Sequence, residues 1–266
     1  MPRISTRYNT RVIPEVIHTG HLSSEPDMLR ASLDGPGISV STDPDFWRQA
    51  AGLNGPDIYL YRSDAHFVDV MAFTPEERRE IEVWALRNRH ITRCSYWVVD
   101  YFDETLEDFV EFRSTSREAA AAKVGRSVED EVKAALTHSN ACDVVDGYQL
   151  RPAAMKKLGR WPDPLNWEAA IVMIYVREVA MVKMPQIVGI WWDEAPSQED
   201  ASGPRGLIFP EALSAFEVET PEGDILPFAS AFPEIHLPER RTIIDAENED
   251  RLQHLIDLLP KRTPSL

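Results

Sequence analysis

Short β-branched runs stand at both ends of this chain, and its middle reads as helix. Residues 12–18 and 37–42 are rich in Val, Ile and Ser and are bounded by Pro, Gly and Asp, which is strand composition. "DIYLYRSDAHFVDVMAF", from Asp57, alternates well enough for one strand or two, and "RCSYWVVDYF", from Arg93, for another. Between the first strands, "DPDFWRQAAG" has an Asp N-cap, Pro at the first helical position and a closing Gly, and predicts a short helix. Thr74, Pro75 and Glu77 make a capping box ahead of a helix in "TPEERREIEVWALRNRH". Helical text then fills residues 104–140, as "ETLEDFVEFRSTSREAAAAKVG" and "SVEDEVKAALTH", followed by "DPLNWEAAIVMIYVREVAMVKM". Strand-like text returns in "QIVGIWWDE", "LIFPEALSAFEVETPEG" and "ILPFAS", and the tail "DAENEDRLQHLIDLLP" reads as a short amphipathic helix. Strands first, helices in the middle and strands last predict an α+β fold with a central mixed or antiparallel sheet. The expected organisation is a single domain over 1–266 with a helical insertion at about 104–184.

The chain has the material for a large core: 266 residues, 43% of them hydrophobic, with seven Trp. Its most apolar run, "AAIVMIYVREVAMV" from Ala169, is interrupted by Arg177 and Glu178 and is too short to span a bilayer, so it predicts a buried helix. The start, "MPRISTRYNTRVIPEV", contains no apolar stretch of signal-peptide type. Cys94 and Cys142 stand far apart and in no metal-binding spacing, and read as idle thiols. A cytoplasmic protein without a membrane partner is the expectation. The formal net charge of -16 repels phosphate backbones and anionic lipid, which favours a protein target over a nucleic acid, although a local basic pocket can still hold a small anion. The chain contains no GxGxxG, GxxxxGK[ST], HExxH, CxxC or GxSxG, so Rossmann and P-loop nucleotide sites, zinc proteases, zinc ribbons and α/β-hydrolases lose their usual support.

Four constellations carry possible chemistry, each beside an ordinary structural reading. In "EVIHTGHL", His18 at a strand end can meet a ribose hydroxyl, and Gly20 lets a ligand amide approach the backbone; the alternative is a strand running into a turn. In "GISVSTDPDFW", Ser39 and Ser41 share one strand face and leave room for a ligand, or that face is simply wet and Ser41 or Thr42 caps the next helix. In "GIWWDEAPSQEDASGPRGLIFP", Trp191 and Trp192 point to opposite strand faces and Asp193 and Glu194 follow them. A carboxylate beside an indole has an altered pKa, and Arg205 suits a phosphate or carboxylate; a Trp-rich core strand with a surface hairpin is the plain account. In "FEVETPEG", Glu217 and Glu219 share a face and can orient a nucleophile or stabilise a cation, or they form an acidic edge.

The order of these segments resembles the ADP-ribosyltransferase superfamily: a strand ending in "IHTG", then "GISVSTDPDFW", then "IYLYRSDAHFVDV", then "IVGIWWDEAPSQEDASGPRGLIFPEAL". The resemblance covers roughly residues 12–70 and 160–220 and implies that NAD is used as a co-substrate, with no metal. It implies that His18 holds the ribose, that the backbone of Thr19 and Gly20 meets the nicotinamide amide, and that Ser39, Ser41, Thr42 and Trp192 shape the pocket. Arg205 would meet the pyrophosphate, and Glu194 or Glu219 would be the catalytic carboxylate. That carboxylate would stabilise positive charge building on the sugar as the nicotinamide bond breaks. Departures are that Ser39 stands where many members carry Tyr, and that Arg205 stands about where the late acid is expected. The implied activity is modification of a macromolecular target, as by a bacterial toxin or effector. An acidic, non-catalytic interaction protein of immunity or inhibitor type is the alternative. A phosphotransferase acting on RNA ends is a third, which the acidic balance disfavours.

Overall fold

The computed structural model describes residues 8–22, 36–45, 48, 54–103, 108–125, 143–159, 163–193, 203–220 and 222–240. It is an α+β protein, with helices beside antiparallel and mixed sheets. The chain divides into two compact units where the sequence suggested one domain: residues 1–81, 157–160 and 172–266, and residues 82–156 and 161–171.

The first unit is built on a nine-stranded sheet. Its strands are β1 (Thr10–Val12), β2 (Glu15–Thr19), β3 (Ile38–Ser41), β4 (Asp57–Tyr61) and β5 (His66–Asp69) from the first third of the chain. β9 (Ile187–Asp193), β10 (Pro204–Ile208), β11 (Glu217–Glu219) and β12 (Ile225–Pro227) come from the last third. Their spatial order is β1-β5-β9-β10-β3-β2-β4-β11-β12. All neighbours are antiparallel except β5 and β9, which run parallel. Two strands occupy "DIYLYRSDAHFVD", because the polar Ser63 and Asp64 turn the chain between them. Val16, Val40, Leu60, Phe67, Trp191 and Ile208 are buried at the sheet centre. Trp191 meets Phe67 edge-to-face at 5.4 Å, and its ring lies over Gly206 of the next strand.

The second unit holds a three-stranded antiparallel sheet in the order β7-β6-β8, from β6 (Ile91–Asp103), β7 (Asp108–Ser114) and β8 (Asp143–Leu150). Helix α2 (Arg117–Lys123) covers one face, where Val99 and Ala120 pack with Trp97 and Phe112. This corrects the helical reading of the middle of the chain. "DFVEFRS" pairs along its whole length with β6, and that pairing outweighs the helix-forming Glu and Leu before it. The strand β8, "DVVDGYQL", was not expected. The predicted helix over "SVEDEVKAALTH", most of the one over "DPDFWRQAAG" and the tail helix lie outside the described residues.

Two helices are as expected. α1 (Pro75–Arg87) starts with the capping box: the Glu77 carboxylate accepts from Thr74 N–H at 2.8 Å and Thr74 Oγ1 accepts from Glu77 N–H at 3.2 Å. After the short α3 (Pro152–Lys157), α4 (Trp167–Tyr175) passes through a π turn at Val176–Ala180 into Met181–Lys183, where Met181 N–H bonds Val176 C=O. The last helix is α5 (Phe228–Ala231). None of the described helices is long and apolar enough to cross a membrane.

A Cβ at position 206 would lie 2.4 Å from Trp191 Cε3 and 2.8 Å from Ile190 O. Gly206→Ala is therefore expected to destabilise the protein by about 2 kcal/mol or more, read as a lower urea midpoint at unchanged slope. An unchanged midpoint would mean that the indole is not seated on β10.

Candidate functional site

His18 is the next-to-last residue of β2 and is partly buried. Its Nδ1 lies 2.8 Å from the Ser39 carbonyl oxygen on β3. A carbonyl only accepts, so Nδ1 carries the proton and donates. In the neutral ring Nε2 is then a hydrogen-bond acceptor, and it bonds no described residue. Beside it stands Gly20, at φ +140°, where a Cβ would come 3.3 Å from His18 Nε2. Glycine thus serves twice here, by adopting a left-handed φ and by placing no Cβ against the ring nitrogen. Gly20 N–H donates to Pro56 C=O at 3.0 Å.

The floor of this corner is tied down by charge. Thr19, 2% exposed, donates from Oγ1 to Asp57 Oδ1 at 2.8 Å. Arg48 reaches the same oxygen at 2.8 Å and donates to Gly55 C=O at 2.8 Å. Burial pushes the His18 imidazole below its ordinary pKa, opposed by the bond to Ser39 and by the negative charge of Asp57. Asp57 and Arg48 did not stand out in the sequence, because nothing in a strand-opening Asp or a lone Arg marks them as partners of Thr19.

Thr19, Ser39, Ser41, Trp192, Arg205 and Glu219 lie on the opposite side of the sheet from His18. Residues that face each other across an antiparallel pair project to the same side, and neighbours along a strand alternate. His18 opposes Ile58, Val16 opposes Leu60, and Leu60 opposes Val218, so these share one side. Ile17 opposes Ser41, Ser41 opposes Arg205, and Arg205 opposes Trp192, so Ser39, Ser41, Thr19, Arg205 and Trp192 share the other. Glu15 and Glu217 both oppose Tyr61, which puts Glu219 on that second side as well. The expected meeting of imidazole, hydroxyls and late glutamate in one hollow is therefore not formed by His18, Ser41, Arg205 and Glu219, although their strands are neighbours.

Each group on the second side has its own engagement. Ser41, 1% exposed, donates from Oγ to Pro204 C=O at 2.6 Å and accepts from Asp43 N–H at 2.9 Å, so its hydroxyl clamps the chain leaving β3. Arg205 lies over the Trp192 ring, 5.4 Å from its centroid. Glu219 is exposed and accepts from Tyr61 O–H at 2.8 Å. Burial, then that bond and the negative charge of Glu219, push the Tyr61 hydroxyl up to about 12. Thr42 is exposed just past β3, and Glu194 lies outside the described residues.

A second charged cluster was missed. Arg177 and Glu178 served in the sequence only to break an apolar run, yet they line a cavity with Lys157, Glu211, Glu239 and Arg240. The signal was present: two adjacent charges inside a buried helix must find partners there.

No family model, curated protein or solved structure matches the chain.

The lowered pKa of His18 gives a pH signature. The unfolded imidazole takes up a proton near 6.5 and the native one only below that, so stability is full above 6.5 and falls as pH drops through the native value. Urea unfolding between pH 7.5 and about 4.5 should show this fall, and His18→Gln should flatten it near 6. A slope identical in the variant would remove His18 as its source.

Proposed function

We propose that the chain is an ADP-ribosyltransferase-like protein that uses NAD to modify a macromolecular target, with its nicotinamide-riboside end at the His18–Gly20 corner. One observation carries this reading: the segments behind the resemblance occupy the neighbouring strands β9, β10, β3 and β2, and at the end of β2 an imidazole presents its acceptor nitrogen beside a glycine. An Nε2 acceptor suits a ligand hydroxyl, which donates. The Gly20 N–H is already given to Pro56, so an incoming carboxamide N–H₂ would meet the Gly20 carbonyl. The His18–Ser39 bond fixes the ring before any ligand arrives, which lowers the ordering cost of binding.

Within this reading Glu194 is a better catalytic acid than Glu219. Glu219 is on the far side of the sheet from His18 and is held by Tyr61, whereas Glu194 directly follows β9. Arg205 is not assigned to the pyrophosphate, because it also faces away from His18 and rests on Trp192. The role of the acid is to stabilise positive charge developing on the ribose and to orient the attacking group of the target.

The division of the site between two sides of the sheet favours a second reading, an acidic interaction protein without catalysis. The two separate in a thermal-shift titration of the full chain with NAD. The enzyme reading expects a rise of several degrees at millimolar NAD, lost in His18→Ala, because a ligand that binds only the native state stabilises it. It further expects NAD turnover to fall by about a hundredfold or more in Glu194→Gln with folding intact. No shift with NAD, or full turnover in Glu194→Gln and His18→Ala alike, would overturn the enzyme reading, and the former would favour the interaction protein.

A further inference from the structure

The cavity lined by Arg177 and Glu178 is separate from the His18 corner. It has a volume of about 300 Å³, the size of a small-metabolite site and too small for a dinucleotide. Ile174 and Met181 supply apolar wall, and around them stand three cations, Lys157, Arg177 and Arg240, and three carboxylates, Glu178, Glu211 and Glu239.

The wall residues come from four separate places in the chain. Arg177 and Glu178 sit on the π turn, whose wider winding brings consecutive side chains closer in direction than an α-helix does. Such turns recur at functional sites. Lys157 ends α3, Glu211 lies on the 3-10 turn Pro210–Ala215, and Glu239 and Arg240 follow α5. Arg177 is fixed: it donates to Lys157 C=O at 2.9 Å and pairs with Glu211. Lys157 pairs with Glu178. Buried Arg177 Nε and Glu211 Oε2 meet no partner among the described residues.

Arg240 is held by one nitrogen only. Its Nη2 donates to Met181 C=O at 3.0 Å and to Ile187 C=O at 2.8 Å, while Nε and Nη1 bond no described residue. Burial lowers its pKa, the like charge of Arg62 adds to that, and Glu211 opposes it. In a chain with 44 acids and 28 Lys and Arg, a wall with as many cations as carboxylates departs from the general acidic balance. The neighbouring Glu239 is exposed and also bonds no described residue.

We propose that this cavity binds a small zwitterion, an apolar α-amino acid, with the carboxylate on Arg240 and Lys157, the ammonium on Glu239, and the side chain against Ile174 and Met181. A simple anion would leave Glu239 facing it, and a simple cation would meet Arg240. A ligand carrying both charges complements a wall with both cations and carboxylates, and the forked guanidinium suits a carboxylate. The site stands apart from the NAD reading, and neither depends on the other.

The test is calorimetric titration of the full chain with L-leucine, L-leucinamide and N-acetyl-L-leucine. Saturable binding of leucine is expected, with each capped analogue at least tenfold weaker, since each lacks one charge. Glu239→Gln, an exposed change that should leave thermal unfolding unaltered, is expected to weaken leucine binding about tenfold. Arg240→Gln should weaken it at least as much. No saturation by about 10 mM leucine, binding of either analogue as tight as leucine, or unchanged affinity in a folded Glu239→Gln would overturn the proposal.

Discussion

One indole holds the centre of the larger sheet in place. Trp191 is 1% exposed, and its ring touches Phe67 on β5 and covers Gly206 on β10. A single side chain therefore ties three strands, and β10 in turn fixes β3, and β3 fixes β2. The approach is possible only because position 206 carries no side chain. Everything said about the His18 corner depends on this stack, since the Ser39 carbonyl that orients the imidazole is placed by the pairing of β3 with β10.

The sheet then imposes a parity rule on function. Along β2, Thr19 turns to the side with Ser41 and Arg205, and His18 turns to the other. Each side has a different chemistry. On the Thr19 side, Thr19 is bonded to Asp57, Ser41 to Pro204 and Glu219 to Tyr61, and Arg205 rests on Trp192. The His18 side offers one oriented acceptor beside a glycine. A ligand recognised there would rely on a few directed contacts and on shape.

How much of this could be read beforehand follows from what each signal encodes. The strands of the larger sheet, the capping box at Thr74 and the buried character of "AAIVMIYV" are local properties and were legible. The strand at Asp108–Ser114 was not, since its opening favours a helix and only the partner strand β6 decides the matter. "DVVDGYQL" carries Asp and Gly, which hide a strand that pairs along its whole length with β6. For the candidate site, the sequence located His18, Ser39 and Ser41 on strands but not the sides they face, and it left Arg205 in a turn-rich segment rather than on β10. Sidedness depends on inter-strand register, and a shift of one residue would reverse it. The tautomer of His18 depends in the same way on a carbonyl more than twenty positions downstream.

The order of the strands also has a meaning for how the chain is made. β9 and β10 enter the sheet between β5 and β3, so the first five strands form two ribbons that share no pairing until residues 187–208 arrive. During synthesis from the N-terminus, β5 and β3 would each wait with an unsatisfied edge while more than a hundred residues follow. The residues of the smaller unit emerge within that interval, and there β6 finds its partner β7 close in sequence. The His18 corner, carried by β2, β3 and β4, thus belongs to the earlier ribbon, and the hairpin that later closes the sheet beside it contributes none of its atoms.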